Sequence, residues 1–275
     1  MLLTITLLVL IGGLSAIIGS IVGIGGGIII VPTMVYLGVE HGLLHNITTQ
    51  VAIGTSSVIL IVTGLSSSLG YLKTKQVDIK NGSIFLFGLL PGSLLGSFIS
   101  RYLTFESFNL YFGIFLIFVA ILLMIRNKIK PFKIFDKPKY EKTYVDAKGK
   151  TYHYSVPPLF AFVTTFLIGI LTGLFGIGGG ALMTPLMLIV FRFPPHLAVG
   201  TSMMMIFFSS VMSSIGHIAQ GHVAWGYAII LIISSYFGAK IGVKVNQSIK
   251  SDTVVTLLRT VMLLMGIYLI IRALI

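Results

Sequence analysis

Apolar residues along this chain fall in long blocks, not in alternation. The blocks cover about 2–22, 28–38, 48–71, 81–100 and 107–126, and then 158–175, 181–191, 197–219, 225–246 and 252–273. Short polar segments separate them. A helix rises about 1.5 Å per residue, so roughly 20 apolar residues cross the ~30 Å of bilayer hydrocarbon. A membrane β-barrel would instead show short alternating segments. The pattern predicts an all-α polytopic membrane protein of two repeats, each with about five membrane segments. The first repeat spans 1–126, the second spans 157–275, and residues 127–156 form a polar loop between them. Within that loop, polar and apolar residues alternate from Tyr144 to Tyr154 around Lys148-Gly149, which predicts a small β-hairpin.

Composition narrows the class. Hydrophobic residues make up 56% of the 275 and charged residues only 9%, against about 25% charged in soluble domains. The formal net charge is +12, but the basic residues sit in connecting segments. That is the signature of cytoplasmic loops, not of nucleic-acid binding. With no cysteine, disulfides and thiolate metal sites are excluded. Met1 to Ile18 carries no basic leader and reads as a retained first helix in place of a cleaved signal.

One phrase occurs twice. Gly23-Ile24-Gly25-Gly26-Gly27 returns as Gly176-Ile177-Gly178-Gly179-Gly180, and Pro32 returns as Pro185, at a constant offset of 153. Ala52-Ile53-Gly54-Thr55-Ser56 returns as Ala198-Val199-Gly200-Thr201-Ser202, and this offset of 146 also relates Gly70 to Gly216, Gly92 to Gly238 and Gly96 to Gly242. Adjacent glycines cost a helix about 1 kcal/mol each relative to alanine, so each run should interrupt its helix. In a membrane such a break is tolerated only inside protein or beside a cavity.

Charge and parity then set the topology. The central loop is the most basic segment and should be cytoplasmic, as should the Lys73–Lys80 loop and the Lys244–Lys250 turn; Gln220 to Ala224 should lie outside. Each half then crosses an odd number of times. The repeats are inverted, with both termini outside, a construction that places a substrate between the repeats near the midplane.

Successive glycines let backbone N–H groups converge on an anion, and the helix after each loop presents its N-terminus to it. Gly25, Gly26, Gly27, Gly178, Gly179 and Gly180 are therefore the candidate substrate-binding backbone, with hydroxyls of Thr55, Ser56, Thr201 and Ser202 as further donors. Arg259, inside the last apolar block, is either a substrate ligand or a snorkelling interface residue. Tyr71, His217 and Gln220 fit gating or proton transfer less readily than packing, and Lys240 and Lys244 mark the inner interface. Gly92, Gly96, Gly238 and Gly242 have the small-residue spacing of close helix packing. Glu40, His41 and His45 lack the further ligands a metal site needs. Gly176 to Ala181 also fits a loose dinucleotide fingerprint, but no strand precedes it and no βαβ unit surrounds it. No cofactor and no catalytic constellation is called for.

The paired GxGGG segments with their downstream prolines, and the two Gly-Thr-Ser helices, resemble the TauE/SafE family over nearly the whole chain outside 127–156. The resemblance implies a secondary transporter in the cell membrane for sulfite, an organosulfonate or a related sulfur-containing anion, and not an enzyme. A coupling proton or ion and a homo-oligomeric state are compatible with it. A passive anion channel, or a membrane receptor acting through the basic loop, remains open as an alternative.

Overall fold

A computed structural model describes residues 2–102, 104–125, 140–145, 149 and 151–274. The lysine-rich stretch 127–139 and the hairpin turn at Lys148 lie outside the described residues. Ten α-helices are described: α1 (Leu2–Val22), α2 (Gly27–Val35), α3 (Thr49–Lys73), α4 (Ile79–Ile99), α5 (Phe105–Ile125), α6 (Pro158–Phe175), α7 (Gly180–Ile189), α8 (Pro195–Ala219), α9 (Trp225–Ser248) and α10 (Ser251–Leu274). A π-helical turn, Tyr36–Glu40, follows α2. Seven of these helices are individually long and apolar enough to cross a membrane. The chain is an all-α multi-pass membrane protein.

The helices begin and end for local reasons. Thr48 caps α3 by accepting from Val51 N–H at 3.2 Å, and Asp78 caps α4 by accepting from Asn81 N–H at 3.0 Å. Pro158 and Pro195 start α6 and α8, where a missing N–H costs nothing. Both glycine runs break the chain between helices, α1 from α2 and α6 from α7. At 9 and 10 residues, α2 and α7 reach only about 15 Å, half the hydrocarbon thickness.

Helices pair across the two halves. α1 packs on α9 and α6 on α4, while α3 packs on α8 and α5 on α10. The small-residue positions show how close and in which sense. A side chain at Gly92 would strike Phe166 O, at Gly96 Ile170 O, at Gly238 Gly13 O, and at Gly242 Ile17 O. Rising numbers in one helix meet rising numbers in the other, so α4/α6 and α1/α9 run parallel with their backbones in close approach, the packing role expected of those glycines. In the other pairs the sense is opposite. Gly54 lies by His217, Gly64 by Phe207 and Gly200 by Tyr71; Gly113 lies by Ile270 and Gly266 by Ile117. α3/α8 and α5/α10 are therefore antiparallel. α3 and α8 form the buried centre of the molecule, whereas α1, α5, α6, α9 and α10 turn residues such as Leu14, Phe118, Leu167, Phe237 and Leu264 outward.

The hairpin is present. β1 (Glu141–Val145) pairs antiparallel with β2 (Thr151–Ser155), with Glu141 opposite Ser155. It is docked on the bundle. Tyr154 Oη donates to Asp78 Oδ2 at 2.7 Å, Lys142 Nζ donates to Asn81 Oδ1 at 3.1 Å, and the Tyr154 ring packs on Phe193 with centroids 4.4 Å apart. Burial and the Asp78 carboxylate hold the Tyr154 phenol well above its ordinary value of 10.0. A cavity of about 520 Å³ lies beneath the hairpin, bordered by Lys75, Gln76, Tyr144, Tyr152, His196 and Ser251. All lysines among the described residues belong to this end of the bundle or to the α3/α9 groove leading to it, where Lys240 lies over the Tyr236 ring.

Candidate functional site

The glycine runs take the backbone shape that only glycine adopts freely. Gly23, Gly25 and Gly26 have φ of 78°, 78° and 95°, and Gly176, Gly178 and Gly179 have 65°, 69° and 75°, values that cost an L-residue roughly 1–2 kcal/mol. All are buried. Three amides of the first loop, Gly23, Ile24 and Gly25, turn back onto Gly19 O at 2.9–3.2 Å, and Gly176 N–H reaches Thr172 O at 2.9 Å. The next amides have no backbone acceptor among the described residues: Gly26, Gly27 and Ile28 in one loop, and Ile177 through Ala181 in the other, the last three of which open α7. These are the orphan donors of two helix N-termini, held in the interior and carrying the positive end of each helix dipole.

The tertiary fold brings the two loops into contact. The Gly27 Cα carries its missing side chain toward Gly176 O and Ile177, and Gly180 toward Gly23 O. The serines of the two Thr-Ser pairs lie in the same place. Ser56 donates to Gly176 O at 3.0 Å, and Ser202 donates to Gly23 O at 2.6 Å. Thr184 also donates to Gly23 O, and Ser209 to Gly178 O. Thr55 Oγ1 accepts from Ala224 N–H, and Thr201 Oγ1 from Asp78 N–H, at 3.0 and 2.9 Å. Each threonine thus fixes the entry into the fourth helix of the opposite half. Ser56 and Ser202 have spent their hydrogens on loop carbonyls, whereas Thr55 and Thr201 accept and keep a hydrogen to give.

The repeated sequence, the crossed helix pairing and the paired glycine loops describe one architecture, and comparison with known proteins places it. The family described as Sulfite exporter TauE/SafE matches residues 8–269. The chain belongs to the TauE/SafE family. A probable membrane transporter protein, YunE, of Bacillus subtilis is 43% identical over 96% of both chains. A probable membrane transporter protein of Methanocaldococcus jannaschii is 26% identical over 98% of this chain and 96% of its own. Sulfite exporter TauE/SafE family protein 6 of Arabidopsis thaliana is 29% identical over 45% of this chain and 30% of its own. No solved structure matches the chain.

Within this TauE/SafE fold the candidate residues are not all gathered. Gly25, Gly26, Gly27, Ser56, Gly178, Gly179, Gly180 and Ser202 share one buried cluster, whereas Thr55 and Thr201, also buried, turn their hydroxyls away to Ala224 and Asp78 at the two ends of the bundle. Arg259 lies half-buried in the third turn of α10 and makes no hydrogen bond or ion pair to either glycine loop among the described residues. Two residues at the cluster escaped the sequence reading. Leu60 and Ile206 both lie over the loops. At Gly25 an added side chain would stand 2.9 Å from Leu60 Cδ2 and 3.1 Å from Ile206 Cδ1, and at Gly178 it would stand 2.9 and 3.0 Å from the same two side chains. Each follows its Gly-Thr-Ser by the same interval, so the 146 register carried the signal; an apolar residue in an apolar helix gave no reason to look. Tyr71 and His217, also 146 apart, are buried and bonded to the carbonyl ends of the first helix in each half: Tyr71 Oη donates to Ser20 O at 2.7 Å, and His217 Nε2 lies 3.2 Å from Gly173 O.

Proposed function

We propose that this protein is a secondary transporter that carries a small sulfur-containing oxyanion, sulfite or an organosulfonate, across the cell membrane. The observation that carries this reading is the meeting of two buried glycine loops, each with unpaired amides at a helix N-terminus. Such donors suit a tetrahedral or pyramidal oxyanion, and the family name and the printed names of relatives agree with sulfite and with transport. Two half-length helices that start at buried breaks resemble the discontinuous helices on which secondary transporters build substrate sites. Leu60 and Ile206 cover the loops, so the conformation described here is closed. Opening requires these two side chains to leave the glycine loops, and Thr55 and Thr201 then offer their unspent hydrogens.

The antiparallel α3/α8 and α5/α10 pairs support two inverted repeats, because a twofold axis lying in the membrane relates a helix to its counterpart running the other way. Lysines gathered at one end support a cytoplasmic face there, with the hairpin inside and both termini outside. The chain contains no nucleotide-binding P-loop, which favours an ion or substrate gradient as the driving force.

Purified protein in sealed liposomes tests the function. A carrier exchanges labelled for unlabelled sulfite in a saturable way. A passive channel gives flux without counterflow, and a receptor acting through the basic loop gives none; either result overturns the carrier reading.

A further inference from the structure

One buried imidazole plays no part in holding the glycine loops. His217 occupies the last turns of α8 and is fully buried. Its Nε2 faces the Gly173 carbonyl, which can only accept, so Nε2 carries the hydrogen and Nδ1 keeps a lone pair. That Nδ1 is buried with no hydrogen-bond partner. A buried acceptor left unpaired is costly and calls for an explanation. The surroundings are polar. Ser214 donates to Ser57 at 3.0 Å, and the hydroxyl of Ser213 is also buried without a partner. A second imidazole, His222, stands with its ring centroid 6.3 Å away. His222 is half-buried at the end of the bundle, and its own Nδ1 is buried and unpartnered.

The other half makes the assignment sharper. Tyr71 holds the place of His217, and Ser20 the place of Gly173, under the two repeat offsets. Both side chains bond the same carbonyl end, but the Tyr71 phenol spends its one hydrogen there and carries no basic nitrogen, whereas the His217 imidazole keeps a free basic nitrogen that can take up a proton. We propose that His217 is the proton-binding site of the transport cycle, loaded from the Gln220–Ala224 end through His222. The inference rests on the transporter reading above. A proton taken up on Nδ1 leaves a cation at the carbonyl end of α6, where the helix dipole favours positive charge. Gly173 lies three residues before Gly176, whose carbonyl holds Ser56. A charge change at His217 is therefore felt at the start of the second glycine loop.

His222, with its ring centroid 6.3 Å away, is a titratable side chain whose charge is felt at His217. Its partial burial lowers it, which favours a neutral relay. α6 and α7 carry no charged residue, and the charged residue of α3, Lys73, is at the opposite end. α4 begins with Lys80 at that same far end and is followed by Arg101, which binds and stacks on Tyr102. α10 carries Asp252 in its first turn, the half-buried Arg259, and Arg272 over the Tyr36 ring.

The test uses the full chain in liposomes with labelled sulfite, and sulfite's own titration is common to every variant. At equal pH on both sides, exchange checks the transporter reading alone. Across a gradient of about one pH unit, one proton per anion shifts the steady-state accumulation ratio about tenfold. His217→Gln keeps an N–H for Gly173 O and removes the titrating nitrogen; exchange persists and the response to the gradient disappears. His217→Tyr, copying Tyr71, gives the same result by a second route. Histidine-selective NMR of the wild type shows one imidazole signal that is absent from His217→Gln, is kept in His222→Gln, and shifts when sulfite binds. A wild-type protein that exchanges but ignores the gradient, a Gln or Tyr variant that still follows it, or an imidazole signal unmoved by sulfite overturns the proton site and leaves the transporter reading intact. Absence of exchange in the wild type removes both.

Discussion

Ser202 donates its hydroxyl hydrogen to the carbonyl oxygen of Gly23, 2.6 Å away and 179 residues earlier in the chain. Its repeat counterpart, Ser56, does the same to Gly176 at 3.0 Å. Each half thereby holds the broken helix of the other. The loops are cross-braced, and the residues expected as anion donors are also structural ties.

That relationship separates the serines from the threonines. Ser56→Ala and Ser202→Ala each leave a buried carbonyl one donor short, at a cost of about 1–3 kcal/mol. Because Thr184 also donates to Gly23 O, Ser202→Ala should fall at the lower end of that range. Thermal unfolding in detergent, with and without sulfite, measures both. Thr55→Ala and Thr201→Ala should instead weaken sulfite binding by about 1 kcal/mol or more if each hydroxyl reaches the anion. Equal affinity in all four variants would remove the hydroxyls from the site.

The third glycines of the two runs, Gly26 and Gly179, should respond differently to substitution. A side chain at Gly26 would stand 2.7 Å from Ser15 O, whereas at Gly179 the nearest atom, Thr172 Oγ1, is 3.1 Å away and the next are 3.5 Å. Gly26→Ala should compromise folding. Gly179→Ala should fold with a loss of roughly 1–2 kcal/mol from its positive φ, and its methyl should impair anion binding. Gly13→Ala, which meets nothing within 4 Å, serves as the control for both unfolding and isothermal binding. A Gly179→Ala protein that binds sulfite as tightly as wild type would take the second loop out of the site.

Docking of the hairpin should depend on alkaline pH. The Tyr154 phenol is raised, by burial first and by its hydrogen bond to Asp78 next. A raised phenol stays protonated in the folded chain while the unfolded one ionises. Its contribution is therefore complete below about pH 10 and declines as the pH climbs above that value. Tyr154→Phe should cost about 1.5–3 kcal/mol at neutral pH, since the acceptor is a carboxylate, and should flatten the alkaline loss. Protease nicking of the hairpin followed against pH reads this directly; identical pH profiles for the two proteins would contradict it.

Single cysteines test the membrane orientation, since the native chain has none. Lys75→Cys and Gly221→Cys occupy exposed loops at opposite ends of the bundle. An impermeant maleimide applied to intact cells should label Gly221→Cys alone. Labelling of Lys75→Cys from outside would reverse the proposed topology.

Much of this protein was already determined by its sequence. Long apolar blocks leave a membrane helix as the stable solution because every backbone polar group must be satisfied within the segment. The glycine runs interrupt those helices for a local reason, the freedom to take positive φ, and the positions at Gly23–Gly27 and Gly176–Gly180 follow. Even the hairpin around Gly149 was visible in the alternation of its strands. What no local rule could decide was which helix meets which. Close packing of Gly92 on Gly169 and of Gly238 on Gly13 depends on complementary surfaces that become adjacent only when two halves of the chain exchange partners. The roles of Ser56 and Ser202 as ties, the cover formed by Leu60 and Ile206, the separation of Arg259 from the loops, and the pairing of His217 with Gly173 all follow from that exchange. They are contacts between residues far apart in the chain, and only the tertiary structure brings them within bonding distance.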